Sequence, residues 1–423
     1  MSKYYTLQDR FDLLNKWKTI SKKLSNDDTE ITLDSELHIE NDISDFIEKI
    51  REQDGEMIIL KDQKGTFGFP FKTIVDNTTW FTKLMIYDLD LDKKLIDIIE
   101  ETPYDDMNKE EKLDFHKAVS LEKYISVNTE HTVNTFLSKL VTEKVTPHIC
   151  MLYGETILME EKHQEIIEMF VNRYKKKDKE ILLDMTKVLM MEWASLGDLS
   201  DYIQTNCRKW TFDTWRGLFF QMLAMLAAIQ EHYPSFRHND LSLANILVQP
   251  TRKVESQAKE AVGYYKYHIN GKEYCVPDIG FRILLTDFDY ASIKEKGVWN
   301  EKIGTSHTRK FGVVSDENPS FDCHMMLNWL IVWTLKLYKY EDEVTGVIGD
   351  VQKFLYDLVE DKYRGLMNRN LKHTRLRNGV RVIDGFVPKN ILETNPIFEK
   401  YRNGGKEWIS NRVCIEEYNA KNT

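Results

Sequence analysis

His238-Asn239-Asp240-Leu241-Ser242-Leu243-Ala244-Asn245 is the stretch that decides how the rest of the chain is read. An acid and an amide stand five positions apart on one short loop, directly after the apolar run Phe212 to His232. Ile246-Leu247-Val248 then reads as a strand that pins the loop to a core. Such a loop can accept a hydroxyl proton at Asp240 and offer oxygen ligands to a divalent cation, Asn245 among them. The pattern H-x-D-x-x-x-x-N is moderately specific; chance produces it in roughly a few per cent of chains of this length. His238 taken alone reads as a packed core histidine.

A second element lies downstream. Ile283-Leu284-Leu285-Thr286 is an apolar strand ending in Asp287-Phe288-Asp289-Tyr290. A carboxylate leaving a strand end beside the first loop is where a Mg²⁺ ligand bridging phosphate oxygens is expected. The plainer reading is that Asp287 caps a turn. In order along the chain, Asp240, Asn245 and Asp287 point to phosphoryl transfer.

The N-terminal half supplies candidates for nucleotide contact. Gly65-Thr66-Phe67-Gly68 lies between expected strands, where Gly65 and Gly68 let backbone N–H groups approach phosphates, although hairpins use glycine equally often. Lys83 is a charge inside the apolar strand Trp80 to Tyr87, either facing solvent or held inward by an anion. An inward lysine needs a partner to offset its desolvation. Glu130, opening the next helix, is the best-placed acid, with Glu143 and the acids near residue 100 as competitors.

Around these motifs the pattern is α+β. Thr6 and Asp9 form a capping pair ahead of Phe11, Leu14, Trp17 and Ile20 at helical spacing, and Ile43 to Arg51 is a second helix. Met57 to Leu60, Phe67 to Phe71 and Leu182 to Met191 read as further strands. Asp105 to Lys117 and Glu130 to Lys144 read as helices. After Leu199 the chain is mostly helical, and past Gly404-Gly405 it reads as a loop followed by a short helix or a frayed end.

The chain has 423 residues, enough for two domains, with 42% hydrophobic residues to build cores. Its formal charge of -10 argues against a dedicated nucleic-acid binder, which presents a basic face. Five scattered cysteines without a C-x-x-C pair suit reduced thiols in an intracellular protein. The polar start and the lack of any run of 18 apolar residues predict neither a signal peptide nor a membrane span.

The sequence resembles protein kinases, most closely the divergent serine/threonine kinases of large nucleocytoplasmic DNA viruses, including the poxvirus virion kinase. The likeness runs over roughly residues 57 to 345. It rests on His238-x-Asp240-x-x-x-x-Asn245, on Asp287-Phe288-Asp289, and on the hinge-like Met191-Glu192-Trp193-Ala194-Ser195-Leu196-Gly197-Asp198-Leu199. Thr146-Pro147-His148-Ile149 and the hairpin-like insert Tyr264 to Phe281 add to it.

The resemblance implies a bilobal α+β protein-kinase-like fold. A strand-rich N-lobe with one long helix would span 57–190 and a mostly helical C-lobe 191–380. A helical extension (1–56) and a C-terminal helical or tail segment (381–423) would flank them. It implies ATP and Mg²⁺ as cofactors, with Mn²⁺ as a substitute, and a protein substrate bearing a Ser or Thr hydroxyl. The setting implied is intracellular, in host cytoplasm or virion. By the same resemblance Asp240 is the catalytic base and Asn245 and Asp287 bind Mg²⁺. Lys83 would contact the α and β phosphates and pair with Glu130, and backbone groups of Glu192 to Ala194 would hold the adenine. Asp322 braces the catalytic loop from a helix start.

The departures are specific. Gln63 stands at the first glycine of the phosphate loop and Pro70 at a usual valine. Asn239 replaces the arginine of H-R-D, Ser242 replaces a lysine, Asp289 replaces the glycine of D-F-G, and no A-P-E follows. Small-molecule kinases of the choline and aminoglycoside type share the two acidic strings, and a pseudokinase scaffold is the third reading.

Overall fold

The Thr6–Asp9 pair opens the first helix as its sequence predicts. Thr6 N–H donates to Asp9 Oδ2 at 2.7 Å, and helix α1 (Leu7–Leu24) follows. In this computed structural model the described residues are 4–24, 43–60, 69–86, 129–159, 185–252, 263–300, 303, 318–338, 346–359, 364, 366–367, 373–374, 387–402, 409–410 and 412–421. The chain divides into two units, Phe11–His131 with Leu152–Trp193, and Met1–Arg10 with Thr132–Met151 and Ala194–Thr423.

The first of these is built on a five-stranded sheet. Helix α2 (Ile43–Glu52) buries Phe46 and Ile50 and turns at Asp54 and Gly55 into β1 (Glu56–Ile59). Strands β2 (Phe69–Val75) and β3 (Thr78–Ile86) join through Asp76-Asn77, both with positive φ, as a two-residue hairpin of primed type requires. Helix α3 covers residues 129–142, of which only 129–131 belong to this unit. Strands β4 (Leu152–Met159) and β5 (Met185–Glu192) complete the antiparallel order β1-β2-β3-β5-β4. Along β3, Trp80, Thr82 and Leu84 are buried, and the Thr82 hydroxyl meets that of Thr73 at 2.7 Å. Within the unit the apolar stripe of α1 finds its cover. Trp17 is fully buried against Tyr153, with ring centroids 5.9 Å apart. Gly154 is needed there, since a Cβ would lie 2.4 Å from the Trp17 ring.

The second unit is largely helical. Helix α4 (Leu199–Asn206) is capped by Asp198, whose side chain accepts from Asp201 N–H. Helix α5 (Phe212–His232) is capped by Thr211 and buried continuously from Gly217 to Ile229. Strand β6 (Ile246–Pro250) pairs with β9 (Phe281–Leu285), and β7 (Gly263–Ile269) pairs with β8 (Lys272–Pro277) across Asn270-Gly271. Helices α6 (Phe321–Tyr338) and α7 (Gly346–Leu358), the short pair β10 (Leu366–Met367) and β11 (His373–Thr374), and α8 (Pro388–Thr394) follow.

The C-terminal end differs from its sequence reading. Val413–Asn419 is neither helix nor frayed end but strand β12, parallel to β7. A pairing made some 150 residues away leaves little local trace. A buried charge holds it. Arg282, 3% exposed, reaches Glu416 at 3.1 Å, and Tyr418 donates to the same carboxylate at 2.6 Å. Beside it His148 is fully buried between Ile283 O and the Tyr267 hydroxyl, each at 3.0 Å, and burial pulls its pKa down to about 3.

The fold is α+β, one unit strand-rich and the other mostly helical, as expected, with α3 divided between them after His131. The helix expected over Asp105 to Lys117 lies outside the described residues. Among the described residues no helix is long and apolar enough to cross a membrane.

Candidate active site

The loop 238–245 is held by backbone hydrogen bonds more than by its own side chains. Asp322, 1% exposed at the start of α6, accepts from His238 N–H at 2.8 Å and from Asn239 N–H at 2.9 Å. Asn239 has φ 63°, a left-handed conformation that asparagine tolerates better than most residues. That turn lets its amide donate to Tyr290 O at 2.9 Å. Leu243–Asn245 forms one 3₁₀ turn, and Asn245 Nδ2 donates back to Asp240 O at 2.8 Å. Asp240 itself is exposed.

Thr286 ties this loop to the second motif. Its N–H donates to Asn245 O at 3.1 Å, and its carbonyl meets His238 Nε2 at 3.0 Å. With β6 and β9 paired at Ile246 and Leu285, the residue after Thr286 has little freedom. That residue is Asp287, half-buried and at φ 64°, a strained region that tight sites retain. Phe288 behind it is fully buried near His238, ring centroids 5.5 Å apart. Asn300 adds a contact that no motif announced, its amide donating to Asp289 O at 2.6 Å. His238 is thus a buried positioning group, consistent with its reading as a core residue.

Asn245 and Asp287 offer oxygen donors, which suit a hard cation such as Mg²⁺. Among the described residues no group of three or more His, Cys, Asp or Glu forms a metal-ligand cluster. Two protein oxygens fit a cation that takes its remaining ligands from phosphates and water.

In the strand-rich unit Lys83 is held inward. Its Nζ lies 2.9 and 3.0 Å from the two carboxylate oxygens of Glu130, which is 2% exposed. Of the acids that competed for this lysine, Glu143 is exposed, and those near residue 100 lie outside the described residues. Gly65, Gly68 and Gln63 also lie outside them. Glu192 ends β5 opposite Trp80, and Ala194 begins the segment assigned to the other unit; both are buried.

The anchored H-x-D-x-x-x-x-N loop and its strand-end aspartate lie in the helical unit, and the strand lysine paired to a helix glutamate lies in the strand-rich one. Proteins similar to this chain in sequence are named as serine/threonine kinases. A protein of Acanthamoeba polyphaga mimivirus named as a serine/threonine-protein kinase is 32% identical over 291 residues, covering 65% of this chain and 59% of the relative. A second mimivirus protein so named is 24% identical over 212 residues, covering 48% and 50%. One from Invertebrate iridescent virus 6 is 26% identical over 166 residues, covering 39% and 28%. The chain therefore spans 59% of the first relative's length and half of the second's. No family profile matches the chain. The solved structure of titin kinase and its flanking domains aligns with 68% of this chain and 34% of that one, at 12% identity and TM-score 0.32, too loosely to carry an argument.

Proposed function

We propose that this chain is an ATP- and Mg²⁺-dependent phosphotransferase acting on Ser or Thr hydroxyls of proteins, with Asp240 as the catalytic base. The observation that carries the reading is the double use of the Thr286 backbone, by Asn245 and by His238, which fixes Asp287 next to the Asp240 loop. Such an arrangement serves no obvious packing need, because Asp240 is exposed and Asp287 adopts a strained backbone.

In this reading bound Mg·ATP supplies the phosphoryl group and part of the charge neutralisation. Asp240 orients the acceptor hydroxyl and takes its proton. Asn245 and Asp287 hold the cation, Mn²⁺ being acceptable to the same oxygen donors. Lys83, aimed by Glu130, contacts the α and β phosphates. The backbone of Glu192 and Ala194 would take the adenine edge, and Gly65 and Gly68 would serve as phosphate-binding glycines. The lobes would be 57–190 and 191–380, flanked by 1–56 and 381–423. The names of the viral relatives support a protein substrate, and a place in host cytoplasm or virion is part of the same proposal.

The test is incubation of the full chain with labelled ATP and Mg²⁺, with a basic protein mixture, choline or an aminoglycoside as acceptor. Label on serine or threonine of protein is expected. Label on the small molecules alone would replace the protein-kinase reading with a small-molecule one, and ATP binding without transfer would indicate a scaffold.

A further inference from the structure

We infer that His131 and Glu155 are a positioning pair, a second strut that fixes the helical turn carrying Glu130 and so aims Lys83. The inference rests on the proposed role of Lys83 in nucleotide binding.

The sheet register supplies the geometry. Lys83 on β3 and Glu155 on β4 both pair with Leu189 on the intervening β5. Directly opposed residues project to the same face of a sheet, so the three form one row across three strands. The ends of that row stand two strand spacings apart, roughly 9–10 Å. Two consecutive helix residues reach its two ends. Glu130 meets Lys83 at 2.9 Å, and His131 Nδ1 lies 3.2 Å from Glu155 Oε1.

Neighbouring helix positions diverge by about 100°, so Glu130 and His131 act in different directions from one turn. A single contact to Lys83 would leave this turn able to roll about a long, flexible side chain. A second contact on the far side of β5 removes that freedom. Burial makes the second contact matter. Glu155 is 3% exposed and Glu130 2%, so each carboxylate needs a donor beside it. His131, half-buried, supplies one to Glu155 as Lys83 does to Glu130. The sequence shows none of this, since residues 131 and 155 belong to no motif and meet only through the register of β4 on β5.

The experiment measures KM for ATP, kcat and nucleotide affinity in the full chain for H131A, H131Q, E155Q and the H131A/E155Q double variant. Nucleotide affinity is also read for H131A in an E130A background. H131A is expected to raise KM for ATP about five- to tenfold with kcat changed less than about twofold. H131Q, which keeps a donor toward Glu155, should recover most of the loss, and the double variant should be no worse than the poorer single. In the E130A background H131A should add nothing, because what it positions is gone. A merely structural role would instead lower affinity again in that background, and this result, or an unchanged KM in H131A, overturns the inference alone. Wild-type protein that neither binds nor uses ATP overturns the functional reading and the inference together. Should E155Q fail to fold, the histidine variants at their half-exposed position decide the question.

Discussion

Asp322→Asn is the change that tests the loop architecture most sharply. The carboxylate is 1% exposed, and its two oxygens accept from His238 N–H at 2.8 Å and Asn239 N–H at 2.9 Å. The asparagine is isosteric, so packing is preserved. Its amide oxygen can serve one N–H, but its nitrogen then faces the other, donor against donor. One charge-assisted hydrogen bond is lost, about 1.5–3 kcal/mol, and a buried N–H is left without an acceptor. Rotating the amide only exchanges which donor is stranded. The expected cost is about 3 kcal/mol, read as a lower urea midpoint at unchanged slope. Phosphate incorporation should fall further than the folded fraction does, because His238 and Asn239 frame Asp240. A midpoint shift worth less than about 0.5 kcal/mol would refute the claim that Asp322 holds the loop.

Other sites give independent checks. Gly154→Ala places a Cβ 2.4 Å from the Trp17 ring and should cost about 1–3 kcal/mol by overpacking, visible in thermal unfolding. Burial lowers the pKa of His148 to about 3 and of His324 to about 4, so the unfolded state takes up protons first as pH falls. Their contribution to stability is therefore complete above about pH 6.5 and is lost progressively toward pH 3–4. His148→Gln should flatten that decline, so its stability deficit against wild type narrows between pH 7 and 4.5. Glu416→Ala removes the carboxylate facing buried Arg282 and should cost about 3–5 kcal/mol in denaturant titrations, whereas an exposed pair such as Lys353–Asp357 should cost under 1 kcal/mol.

What was legible in the sequence was local. The helix over Phe212–His232 could be read from its apolar content, and the Tyr264–Phe281 hairpin from the resemblance to viral kinases. The brace at Asp322 and the Lys83–Glu130 pair could be anticipated because kinase-like chains carry acids at those offsets; their distances could not. The parallel pairing of β12 with β7 escaped, since the gain that makes Val413–Asn419 a strand comes from distant edge hydrogen bonds and from the Arg282–Glu416 contact. Asn239 shows the same limit. As a letter it only removes the arginine of H-R-D, yet its left-handed φ and its bond to Tyr290 give it a tethering role of its own.

The most direct measurement is transfer of labelled γ-phosphate from Mg·ATP to a protein acceptor by wild-type chain and by D240N. Asp240 is exposed, so the substitution should leave the unfolding midpoint and ATP affinity nearly unchanged. Transfer to Ser or Thr should fall by at least about a hundredfold in D240N. Transfer by D240N within about twofold of wild type would contradict the assignment of Asp240 as the base.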